Sequence, residues 1–364
     1  MTPTKNDSLL FLILITAFAA VTRIWFFWKD GLHTDELFTF NLVVPNDLWY
    51  IIQWSLTHDC NPPLFYVIDK LSIMAFGATR FAERLPAVLS GIALIPAVYY
   101  FGRELKGETL GLFAALAAAT SGPLWYYSQF GRAYMPECFI FTVLCIFWIR
   151  LVRGDTAKAN WYWVTGLAVI LAWMHLVSII PLTCMFLWLL WQYRVESLKW
   201  LGLTFLLSSP LLILMNAMAH WRFEGIAPQH VDWYGGTFNQ LVIFAPLEFF
   251  GFSFVFWIPM IVYSWWKNWR VKEVSILLVT FLITFAAILA AESVTPVYLR
   301  YMMLLVPVVM TIGLLPVAEF VDSPEFNRAQ KWFVVGSFSV FYFGIIFYAF
   351  WTGLYLPKGP YMVG

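Results

Sequence analysis

Apolar runs of about 20 residues recur along the whole chain, and no other feature restricts its fold as much. Inside a bilayer every backbone N–H and C=O must be satisfied within the segment, so such runs fold as membrane-crossing helices. They fall near 8–28, 85–102, 108–124, 137–152, 160–175, 177–193, 200–218, 248–266, 274–291, 301–320 and 332–351. Only 12% of the 364 residues are charged and 61% are hydrophobic, against about 25% charged in a soluble domain. Mean hydropathy is +0.75. The chain therefore reads as an all-α polytopic membrane protein with about eleven transmembrane helices, one membrane domain over 1–364. The net charge of +1 points away from a nucleic-acid partner. The first run lacks a small-residue cleavage site and is expected to stay as an anchor. Cys60, Cys138, Cys145 and Cys184 show no metal-ligand spacing, and no structural disulfide is expected.

A further run, 62–77, is shorter and carries Asp69 and Lys70 in its middle. A charge at mid-bilayer costs roughly 2.5–3.5 kcal/mol, whereas a helix lying in the interface escapes that cost. We therefore expect 62–77 to lie in the interface. With the N-terminus in the cytoplasm, 13 of the 22 basic residues fall on cytoplasmic loops and nine on the outer side. Were 62–77 to span, every later loop would flip and "RLVRGDTAK" would face outward. The expected outer loops include 29–84, holding interfacial helices, and a second large one at 219–247. An integral plasma-membrane protein with its functional groups facing outward follows.

Six stretches carry polar chemistry, and each also has a bland reading. "HTDELFTFN" sets His33, Asp35 and Glu36 just beyond the first crossing. These are ordinary loop acids, or a partly desolvated pair whose pKa values are pushed apart to give a base and an orienting acid. "NPPLFYVIDK" offers Asn61 and Lys70: a surface helix with a snorkelling lysine, or a cation beside a membrane-embedded anion. Arg84 in "RFAERLPAVLSG" is an interfacial anchor or an anion ligand. "WYYSQFGRAYMPE" packs Tyr127, Gln129, Arg132 and Tyr134 into one turn, and the Arg132 fork suits a phosphate or carboxylate. His175 ends a helix, and Arg300 with Tyr301 opens a late crossing. The positive-inside assignment, which used none of these motifs as such, places all six on one side of the membrane. Arg, Lys, His and two acids at one water–lipid boundary are what handling a phospholipid anion requires.

These residues resemble a known group. Asp35-Glu36 after the first span, Asn61-Pro62-Pro63-Leu64 with Lys70, Arg84-Leu85-Pro86, Tyr127-Ser128-Gln129 through Arg132-Ala133-Tyr134, His175, and Arg300-Tyr301 to Pro307 are similar to marks of the GT-C membrane glycosyltransferases. The nearest resemblance is to protein O-mannosyltransferases and aminoarabinose-lipid A transferases, over roughly residues 1–310. It implies a GT-C fold and transfer of a sugar from a polyprenyl-phosphate carrier to a lipid, glycan or protein acceptor on the outer face, with inversion. It makes Asp35 the general base and Glu36 its support. It assigns the carrier phosphate to Lys70, Arg84, Arg132 and Arg300, and the substrate pocket to His33, Asn61, Tyr127, Gln129, Tyr134, His175 and Tyr301.

The leaving group is already a phosphate, so cations suffice to stabilise its departure and no metal or other cofactor is expected. Asn61 stands where many members have His, and Phe130-Gly131 where many have an acid, which bears on sugar or acceptor choice. Acceptor recognition falls to the outer loops, especially His220, Arg222, Glu224, His230 and Asp232. Two other classes compete: a secondary transporter, and a non-catalytic carrier-binding protein of the same fold. A transporter would set its coupling acids near the bilayer midplane, whereas the charges here gather at one boundary.

Overall fold

The computed structural model describes residues 5–27, 31–59, 61–225, 245–292 and 299–351, and among these every regular element is helical. Among the described residues, eight helical segments are long and apolar enough to cross a membrane: Asn6–Trp25, Arg80–Lys106, Tyr134–Val152, Leu176–Tyr193, Ala245–Asn268, Lys272–Ala291, Leu299–Asp322 and Arg328–Phe347. The expected eleven is therefore not matched one for one. Run 108–124 breaks into α6 (Glu108–Thr120) and the short α7 (Gly122–Ser128). Ser121 between them is extended, with Pro123 in the first turn of α7. Run 160–175 forms a 17-residue helix, α9 (Lys158–Met174), that stops at His175. Run 200–218 lies within α11 (Val195–Gly225), whose side chains are described only as far as Leu211. The side chains of His220, Arg222, Glu224, His230 and Asp232 lie outside the described residues, as does Cys60.

The first loop folds into three helices: α2 (Thr34–Val43), α3 (Leu48–His58) and α4 (Leu64–Phe76). At a rise of 1.5 Å per residue, 13-residue α4 is about 20 Å long, short of a roughly 30 Å hydrocarbon core. Local chemistry explains each start. Asp47 accepts from the Tyr50 N–H at 2.8 Å to cap α3, and Pro63 precedes α4. Gly77, at φ +82°, ends α4 in a conformation that a Cβ disfavours. Leu42, Val43, Ile51, Phe65, Tyr66 and Ile73 make a small core of their own beneath these helices.

The interior of the bundle is the segment 299–322, 83% of whose apolar window is buried, flanked by α8 (Tyr134–Val152) and α5 (Arg80–Lys106). Arg328–Phe347 is only 6% buried and leaves its apolar surface for lipid. The helix α1 (Lys5–Phe26) is held by an exchange of caps. Arg23, fully buried, donates to the Ala118 and Ala119 carbonyls at the end of α6 and to Ser128 Oγ at 3.0 Å. In return Trp125 and Gln129 donate to the Thr22 and Arg23 carbonyls. These bonds satisfy helix-end groups that have no partner inside their own helix. They also fix where α1 delivers the chain to His33.

Candidate functional site

His33, Asp35 and Glu36 form the first turn of α2. Glu36 Oε2 accepts from the His33 N–H at 2.8 Å, and His33 Nδ1 accepts from the Asp35 N–H at 3.4 Å, a reciprocal capping box with His as its first member. The two acids then part company. Glu36 is fully buried and takes four donors: Arg84 Nε and Nη2, both at 2.7 Å, the Gly131 N–H at 2.7 Å and the His33 N–H. Asp35 keeps 27% of its side chain exposed and pairs with Arg300 Nη2 at 2.7 Å.

Arg84 also donates to the Phe27 and Gly31 carbonyls, so its guanidinium is occupied by Glu36 and by the chain leaving α1. It is a buried fastener joining α1, α2, α5 and the 129–133 turn. Lys70 donates to the Val43 and Val44 carbonyls at 3.0 and 3.2 Å, capping the end of α2. Asn61 turns back to Asp59, whose other oxygen accepts from Tyr66 Oη at 2.5 Å. Gln129 braces α1 as described. Of the residues expected to meet phosphate, the structure brings Arg132 and Arg300 to Asp35 and sets Lys70 and Arg84 to holding backbone. Arg132 Nη1 donates to Thr39 Oγ1 at 2.8 Å and to the Asp35 carbonyl at 3.4 Å.

Aromatic rings wall this group. Phe130 lies against His33, Tyr126, Tyr127 and Tyr134, with centroids 5.2 to 6.1 Å apart. Tyr134 continues to Tyr301, which meets His175 at 4.6 Å, and the Arg300 guanidinium lies 5.9 Å over the Tyr134 ring. Low-dielectric walls of this kind strengthen every charge interaction inside them. Burial lowers the His33 pKa, against the nearby Asp35 carboxylate. Burial, with Arg132 and Arg300 close by, brings His175 down to about 3, so it is neutral at pH 7. Beside Arg132 a small pocket is lined by Asn61, Tyr66, Tyr134 and His175 among others.

Sequence reasoning gave no role to Glu248 or Thr39, and it read Gly131 only as a departure from the family pattern and Glu83 only as a neighbour of Arg84. Glu248 reaches in from the segment Ala245–Asn268 and accepts from Tyr127 Oη. Thr39 follows Asp35 by one helical turn, the only sequence signal it carries. At Gly131 a Cβ would crowd its neighbours, lying 3.0 Å from Glu83 Cγ and 3.4 Å from Glu36 Oε1. Glu83 is fully buried, with no hydrogen-bond partner for either carboxylate oxygen among the described residues. In the same set no group of three or more His, Cys, Asp or Glu is arranged to hold a metal ion.

Solved structures share this arrangement of helices. ArnT from Cupriavidus metallidurans in the apo state superposes with a TM-score of 0.61 at 14% identity, over 94% of this chain and 72% of that one. This chain has the GT-C fold. The GT-C match extends to ArnT bound to undecaprenyl phosphate, TM-score 0.61 at 14% identity, covering 89% of this chain and 62% of that one. It extends also to the archaeal oligosaccharyltransferase AglB from Archaeoglobus fulgidus in complex with an inhibitory peptide and a dolichol-phosphate. There the TM-score is 0.62 at 14% identity, over 97% of this chain and 56% of that one. Residues 60–221, a little under half of the chain, match the family described as dolichyl-phosphate-mannose-protein mannosyltransferase. No curated protein matches the sequence. The expectation of a polytopic GT-C membrane protein therefore holds at the level of fold.

Proposed function

We propose that this chain is a membrane glycosyltransferase that moves a sugar from a polyprenyl-phosphate carrier to an acceptor nucleophile on the extracytoplasmic face, with inversion. The observation that carries the reading is the Asp35–Arg300 pair, mostly buried but open to solvent on the Asp35 side and walled by aromatic rings, with Arg132 beside it. The carrier phosphate binds Arg300 and Arg132, which stabilise the charge that develops as the phosphate departs. Asp35 takes the acceptor's proton as the acceptor attacks the anomeric carbon from the opposite side. Glu36 does not reach the reactants; it orients Asp35 through the first turn of α2. The 72% and smaller shares of the matching structures that this chain spans leave sugar and acceptor to be found by experiment. Support for the carrier comes from the ArnT and AglB complexes named above, which hold polyprenyl phosphates in the same fold.

The test is a transfer assay on the purified full chain with a panel of polyprenyl-phosphate sugars and a mass readout of products. Product formation by the wild type and none by Asp35→Asn is the expected result. A wild-type chain that neither binds nor consumes any of these donors overturns the reading.

A further inference from the structure

Glu248 is half-buried and comes from the C-terminal half of the chain, 121 residues beyond its partner Tyr127. One carboxylate oxygen accepts from Tyr127 Oη; the other accepts no hydrogen bond among the described residues and is not sealed from solvent. Tyr127 is buried, and its ring lies against Tyr134 at 5.2 Å. The Arg300 guanidinium sits over that same Tyr134 ring. Glu248 and Arg300 both act on the Tyr127 phenol, one pushing its pKa up and the other down, after burial as the main cause of its rise. The Tyr127 and Tyr134 rings thus link the two groups: Glu248 holds the first phenol, and the Arg300 guanidinium lies over the second ring. Asp35 approaches Arg300 from α2 instead.

An acid held by one oxygen, with the other open beside aromatic faces, has the chemistry of a sugar-hydroxyl acceptor. Tyr127 fixes the rotamer, so little side-chain entropy is lost on binding, and a hydroxyl donating to an ionised carboxylate makes a charge-assisted bond. We propose that Glu248 is a specificity-determining residue that binds hydroxyl groups of the carrier-linked sugar, with Tyr127 as its positioning residue. This rests on the glycosyltransferase reading above. In that reading Asp35 serves the acceptor at Arg300, and a sugar that extends from a phosphate held there along the Tyr134 and Tyr127 rings comes to the acid tied to Tyr127.

Glu248→Gln tests it, because the amide oxygen still accepts from Tyr127 and the tether survives. Equilibrium binding is measured on the full chain in nanodiscs with two probes, bare undecaprenyl phosphate and undecaprenyl-phosphate hexoses. The variant should bind the bare phosphate within twofold of wild type and the sugar-loaded carrier at least ~10-fold more weakly, the loss expected for one hydrogen bond to a charged group. Its relative preference among epimeric hexoses should change as well. Unchanged affinity for the loaded carriers, or an equal loss for bare and loaded carriers, overturns the assignment and leaves Glu248 a tether. A wild-type chain that binds neither probe overturns the glycosyltransferase reading instead, and this proposal with it.

Discussion

Arg300 Nη2 donates to Asp35 Oδ2 at 2.7 Å, joining two residues 265 positions apart. The acid proposed as base thus rests on the cation proposed to hold the carrier phosphate. A phosphate arriving at Arg300 competes with Asp35 for the guanidinium, and the released carboxylate turns to the acceptor. Asp35→Asn should therefore separate binding from chemistry. Transfer should fall by at least ~10²-fold, the scale of a lost general base, while bare undecaprenyl phosphate binds as tightly as to wild type or more so. Single-turnover assays beside equilibrium binding measure both, and wild-type transfer by this variant would remove Asp35 from the chemistry.

The Arg84–Glu36 pair should behave differently, as a structural element. Side-chain exposures of 6% for Arg84 and 0% for Glu36 bury the pair almost completely. Removing one partner strands the other charge, at a cost of about 3–5 kcal/mol. Glu36→Gln and Arg84→Met are each expected to lower the unfolding temperature clearly in a thermal-shift experiment. Arg132→Gln should weaken carrier binding with a smaller effect on melting. Equal melting temperatures for wild type and Arg84→Met would contradict the assignment.

Gly131→Ala probes the seam between these two functions. Its backbone N–H supports Glu36, and an added Cβ would press on Glu83 Cγ at 3.0 Å. Overpacking of this kind costs about 1–3 kcal/mol and displaces the first turn of α2. Transfer activity should fall by a larger factor than stability alone accounts for, read as kcat on protein that is still folded at the assay temperature.

Asp69 gives a pH signature. It is fully buried, and neither of its carboxylate oxygens has a hydrogen-bond partner among the described residues. Burial, then the nearby Glu36, raises its pKa to about 8, with Arg132 opposing. A raised carboxyl pKa means that the folded state holds the proton more tightly than the unfolded chain. The associated stability is fully present below pH 4, shrinks as pH rises, and is gone above about pH 8. Asp69→Asn mimics the protonated form. It should match wild type below about pH 4, melt increasingly higher than wild type from there to pH 8–9, and flatten the profile between; identical profiles would refute a protonated Asp69.

The apolar runs by themselves settled that this is a helical membrane protein, because hydrocarbon admits so few backbone solutions. The spaced motifs likewise made Asp35, Arg132, Arg300, Tyr134 and Tyr301 legible as one group before any fold was known. Sequence could not divide the labour among charged residues of the same type. Asp35 and Glu36 are adjacent, yet a helical turn points one at Arg300 in a half-open site and buries the other under Arg84 and Gly131. Lys70 and Arg84 look like phosphate ligands by residue type, and only tertiary packing shows Lys70 aimed at backbone carbonyls and Arg84 divided between Glu36 and backbone carbonyls. Glu248 carried no motif at all. It joins the site because the segment Ala245–Asn268 packs beside α7 and brings its acid to Tyr127, a contact between distant positions that no local pattern encodes.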